Sequence, residues 1–169
     1  MAPIVIIPWP LPHISLVTDL QLDALRLEPK KKAGASREKE KMGHSGRQYE
    51  LASAAESDRR YRLFVRQSLS NPDVFSVGLT LLLPAGDLIL CRYNSGHHGH
   101  RNILEKVKLP PANHQHVTTQ RYIAAGLDVT GFAILRTEYD SAESALALLV
   151  QECNIEGIIK LDTQAKLFP

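Results

Sequence analysis

Cysteine is scarce in this chain. Only Cys91 and Cys153 occur in 169 residues. That excludes a disulfide scaffold, and neither stands in a Cys-x-x-Cys pair. A reducing, cytoplasmic setting is the expectation. Long hydrophobic runs are missing as well. No stretch approaches the roughly 20 apolar residues of a membrane-spanning helix, so no membrane partner is expected. The opening residues lack the basic segment of a targeting peptide and are broken by Pro3, Pro8, Pro10 and Pro12. There is no internal repeat. Nor is there a convincing carboxylate cluster, which disfavours a two-metal nuclease.

What remains is an ordinary globular composition, 44% apolar and 22% charged. The net charge of +2 hides an uneven layout. Residues 26–122 carry 17 Lys and Arg against 9 Asp and Glu, whereas residues 123–169 carry 3 against 7. A basic middle beside an acidic end suits an anionic partner, RNA or another polyanion.

Residues 1–29 read as an extended segment followed by a short helix. The prolines forbid a helix up to residue 12. Thr18-Asp-Leu-Gln21 is a capping box for a helix ending near Leu27, with Leu20, Ala24 and Leu27 as its apolar stripe. Residues 30–47 are polar, Gly-bearing and aperiodic, and read as a flexible basic linker. Residues 48–162 read as one α+β domain, and 163–169 as a tail.

In that domain a weak strand spans residues 49–54. A strong one spans 60–69, with Tyr61, Leu63 and Val65 on one side and Arg60, Arg62, Phe64 and Arg66 on the other, where three arginines make that side wet or ligand-facing. Strands at 74–83 and 88–93 complete an antiparallel meander. Further short strands are expected at 103–108, 114–117 and 155–161. A helix is expected over 118–125, ended by Gly126. Asp140-Ser-Ala-Glu143 opens another, running to about Cys153, with the stripe Ala142, Leu146, Leu149 and Val150. The fold class is therefore α+β: an antiparallel meander of about four to six strands, with two or three helices packed on one face.

Five of the seven histidines fall between His97 and His116. The pattern runs Arg92-Tyr-Asn-Ser-Gly-His-x-x-His-x-Asn102, then His114-x-His-x-x-Thr-x-Arg-Tyr122, then a helix closing in Cys153-Asn-Ile. Over residues 58–155 it resembles a family of small uncharacterised prokaryotic proteins in a toxin–antitoxin or mobile-element context. The resemblance implies that Tyr93, Asn94, His100, Asn102, His114, His116, Thr119, Arg121 and Tyr122 form one constellation. It names no substrate.

His114 and His116 are two residues apart, so on a strand their rings share a side. Histidine can act as acid and base near neutral pH, and an Arg can stabilise the phosphorane of an RNA cleavage reaction. The first expectation is a metal-independent, ribonuclease-like protein, a toxin component in context, with an antitoxin-like small protein as a partner. Its catalytic residues would be His114, His116, Arg121 and Tyr122. Tyr93, Asn94, His98, His100, Arg101, Asn102 and Thr119 would bind substrate. No cofactor is required on this reading. The alternatives are a non-catalytic module binding nucleic acid or a partner, and a zinc hydrolase using the histidines as ligands. A purely architectural polar network is a fourth reading, with Tyr122 in the core and Arg121 paired to Glu105.

Overall fold

The computed structural model describes residues 4–159. The tail expected at 163–169 and the last positions of the 155–161 strand lie outside them. Among the described residues are three α-helices and eleven strands. The α+β class holds, but the strands exceed the four to six expected.

The centre is the expected antiparallel meander: β3 (His44–Ser53), β4 (Arg60–Ser68), β5 (Phe75–Leu81) and β6 (Leu88–Asn94). Beyond β6 lie β9 (His114–Val117) and the edge strand β10 (Ala133–Leu135). On the other side, β1 (Lys30–Lys32) pairs with one end of β3 and, in parallel, with β11 (Ile155–Glu156). A separate small hairpin joins β7 (His100–Asn102) to β8 (Val107–Leu109). Residues 103–106 form its turn rather than the start of a strand, and Lys106 there has φ +57°.

One face of the sheet is apolar. Tyr61, Leu63 and Val65 of β4 and Val77, Leu79 and Leu81 of β5 are buried in a single core. Helices α1 (Asp19–Leu27) and α3 (Ala142–Glu152) supply the other side of it, through Leu22, Leu25, Ala145, Leu146 and Leu149. Each fully buried leucine contributes about 1.5–3 kcal/mol of transfer free energy. Cys91 and Cys153 meet in this core as free thiols, Sγ to Sγ 3.8 Å.

The capping box of α1 forms as expected. Gln21 N donates to Thr18 Oγ1 at 3.2 Å, and Thr18 N to Gln21 Oε1 at 3.0 Å. Its stripe does not: Leu22 and Leu25 are buried, while Leu20 and Leu27 are 62% and 60% exposed. Four leucines allowed two phases of the helix, and contact with the sheet selected the other one. The box of α3 sits one residue later than expected, between Ser141 and Ser144. Glu143 is thereby freed to pair with Arg47 at 2.5 Å. Helix α2 (Gln120–Ala124) is shorter than the 118–125 expected.

The flexible linker expected at 30–47 is instead ordered strand. It comprises β1, β2 (Arg37–Lys41) and the start of β3, with β2 paired to β3 from Arg37↔Gln48 to Lys41↔His44. Arg37-Glu-Lys-Glu-Lys41 has no apolar period, but its charges alternate in sign. A strand sorts that alternation onto two faces, basic to one side and acidic to the other.

Candidate functional site

Among the described residues no helix covers the second face of the central sheet, and strand register composes it. Two cross-strand rows run over it. One row is Lys39, Gly46, Arg66, Ser76, Asn94 and His114. The next is Arg37, Gln48, Phe64, Gly78, Arg92 and His116. Each row collects one residue per strand, so Arg37 and His116, 79 positions apart in the chain, share a row.

The loop after β6 folds over one end of these rows. Gly96 makes that crossing possible, because a Cβ there would lie 2.5–2.6 Å from the backbone of Ala112 and Asn113. The crossing leads His100 to the two strand histidines. Its ring centroid is 4.7 Å from that of His116 and 5.9 Å from that of His114, which are 4.9 Å from each other. Each ring is held by a backbone carbonyl. His114 Nδ1 donates to Ala112 O at 2.9 Å, His116 Nδ1 to Thr130 O at 2.6 Å, and His100 Nε2 to Gly131 O at 2.7 Å. A carbonyl only accepts, so these contacts fix the tautomers. The remaining nitrogen of each ring makes no hydrogen bond to the described residues.

The electrostatics favour the neutral form of His114 and His116. Burial, then the Arg92 guanidinium, pushes His116 down to about 3, against the pull of the Thr130 carbonyl. Burial lowers His114 too, with His100 and Arg92 adding to it. Arg92 is itself lowered by burial, and Asp128 opposes that shift. The Asp128 carboxylate is held below its usual range by hydrogen bonds from the Thr130 N–H and hydroxyl, each 2.9 Å. The buried Nε of Arg92 has no hydrogen-bond partner.

Together these groups line a cavity of about 1190 Å³. Lys39, Lys41, Arg66, Arg92 and Arg101 line it without an ion pair among the described residues. Among the described residues Asp128 is the only acidic one that lines it. A preformed concave surface of this charge can hold an anion by direct contact.

The expected constellation divides. Asn94, His98, His100, Arg101, His114 and His116 line the cavity. Asn94 Oδ1 accepts from Ser76 Oγ at 2.7 Å, and the His98 ring lies 4.0 Å from that of His97. Tyr93, Asn102, Thr119, Arg121 and Tyr122 do not line it. Tyr93 lies between Arg92 and Asn94 and so points to the covered face, where its hydroxyl donates to Glu152. The Asn102 amide bonds both backbone groups of Ala133, at 2.8 and 2.9 Å, tying the small hairpin to β10. Thr119 is buried at the start of α2 with its hydroxyl unbonded. Arg121 pairs with Glu105 at 2.7 Å, and Tyr122 is buried with its hydroxyl donating to the same carboxylate at 2.7 Å. Tyr122 touches the site only at second hand, its ring packing on Gly131, whose carbonyl holds His100.

Of the β4 side expected to be wet or ligand-facing, Phe64 and Arg66 line the cavity; Lys39, Lys41, His44, Arg92, His97 and Asp128 line it too, without a site role assigned from the sequence. Strand parity would have found Arg92, since it shares a side with Asn94. The charge alternation of residues 37–41 would have found the lysines.

Zinc ligation was the alternative use of the histidines. Among the described residues no three His, Cys, Asp or Glu side chains are arranged to hold a metal ion. The Arg92 charge that lowers His116 would also oppose a bound cation. No helix among the described residues is long and apolar enough to cross a membrane. Comparisons with protein-family models, curated proteins and solved structures return no match for the chain.

Proposed function

We propose that the protein is a nucleic-acid-binding module, with RNA the first candidate ligand, and that the ligand lies across the uncovered face of the sheet. One observation carries this reading: among the described residues, five cationic side chains without an ion pair and the imidazoles of His100, His114 and His116 line one cavity with a single carboxylate. Phosphate groups would pair with Arg66, Arg92 and Lys39. Neutral imidazoles offer hydrogen bonds there without demanding a counter-ion.

RNA cleavage is the second reading. In its favour is the proximity of His100, His114 and His116 beside an Arg that could meet a phosphorane. The depressed His116 argues against it as half of an acid–base pair, because a group near 3 is neither charged nor strongly basic at neutral pH. His114 is the better base on this reading.

The test is anisotropy of a short labelled single-stranded RNA over a range of salt. Binding should weaken steeply as salt rises, through release of counterions. Replacing Arg66 and Arg92 by Gln should flatten the log–log slope by about 1 per lost phosphate contact. No binding at low salt, or an unchanged slope, would remove the proposal. Product analysis of the same mixtures by gel decides whether any cleavage accompanies binding.

A further inference from the structure

Phe64 stands on the uncovered face, where its ring covers Gly78. It stands in the second cross-strand row, between Gln48 and Gly78, two strands from Arg92. It lines the basic cavity. It is outside the hydrophobic core, and it has no aromatic or cation–π partner among the described residues. Its ring lies where a side chain of the neighbouring strand would be. A Cβ on Gly78 would come within 2.4 Å of Phe64 Cζ and 2.5 Å of Cε1. The glycine thus opens a bed for the ring on the sheet surface. The partly buried ring, packed over Gly78, shares this face with Lys39, Arg66 and Arg92.

We infer that Phe64 is a stacking platform for an unpaired nucleobase, and that the ligand is therefore a single-stranded nucleic acid rather than a duplex. This rests on the nucleic-acid reading of the same face. Every base has a π-face, so stacking tolerates any sequence while it excludes paired bases. The neighbouring charges fit the strand that would carry such a base. Arg66 and Lys39 stand one row away, and Arg92 and His116 continue the row of Phe64 toward the histidine end. The six strands from β2 to β9 span about 24 Å at the usual strand spacing. That accommodates several nucleotides, close to the smallest sites of single-strand-binding domains, about 4 nucleotides. A backbone crossing the strands would leave one base over Phe64 and bring a phosphate to Arg92.

The experiment compares four probes on the full chain by fluorescence anisotropy: a single-stranded RNA, the single-stranded DNA of the same sequence, the RNA duplex, and a fully abasic strand with the same phosphates. Both single strands should bind about tenfold or more tightly than the duplex or the abasic strand. Phe64→Leu should weaken single-strand binding by a similar factor, leave abasic binding unchanged and keep the salt slope. Phe64→Tyr should restore the affinity. If the abasic strand or the duplex binds the wild type as tightly as the single strands, the inference is overturned, and that result does not depend on any variant folding. Equal single-strand affinity of wild type and Phe64→Leu overturns it as well. In either case a steep salt dependence that Arg66 and Arg92 control would leave the nucleic-acid reading intact.

Discussion

Tyr61, Leu63 and Val65 of β4 lie beneath the helices, while Phe64 and Arg66, their neighbours along the chain, stand on the open side. The two faces are built from the same strands and the same register, yet they solve opposite problems. The covered face removes apolar area from water and is closed by α1 and α3. The open face gathers the cations of Lys39, Arg66 and Arg92, whose mutual repulsion a purely structural surface would avoid, beside the histidines. That concentration of charge, together with the buried Nε of Arg92 that has no partner among the described residues, is what supports the proposal that this face binds a ligand.

The largest effect should be on stability and confined to the covered face. Leu79→Ala removes a fully buried side chain and should cost about 2–5 kcal/mol in urea unfolding. Arg66→Gln on the open face should stay within about 0.5 kcal/mol. Comparable losses from both would erase the distinction between the faces.

A smaller effect concerns pH. The folded state holds His116 neutral down to about 3, whereas the unfolded chain takes up that proton near 6.5. The unfolded state thus binds more protons between those values. Stability should fall as pH drops from 6.5 toward 3, by at most about 1.4 kcal/mol per pH unit from this group. His114 acts in the same direction. His116→Asn should flatten the dependence of the urea midpoint on pH. A His116 ring that titrates near 6.5 by NMR would contradict its burial in the neutral form and bring the acid–base pair back.

The smallest effect belongs to a residue that the motif favoured. Arg121→Gln breaks a half-exposed ion pair with Glu105, worth about 0–1 kcal/mol. It should leave RNA binding unchanged. A large loss of binding would mean that the site extends to α2.

These outcomes bear on what could be read in the sequence. The meander was legible because β4 to β6 alternate or run apolar, and the spacing of His114 and His116 placed both rings on one side. Residues 37–41 were not, because a strand exposed on both faces carries no apolar period. Tyr93, Thr119, Arg121 and Tyr122 were drawn into the site by adjacency in the chain. Parity sends Tyr93 through the sheet, and helix α2 carries Arg121 to Glu105. The approach of His100 depends on a loop crossing that no local pattern encodes. The rows that join Lys39 to His114 exist only once six strands have paired.

The most direct test of the two-faced account is an NMR titration with single-stranded RNA that follows side-chain signals. The ring protons of Phe64, His100, His114 and His116 should shift on binding, while the methyl groups of Leu63, Leu79 and Leu149 should hold still. Shifts among those leucine methyls, with the histidine and Phe64 rings unmoved, would show that the open face is not where the ligand binds.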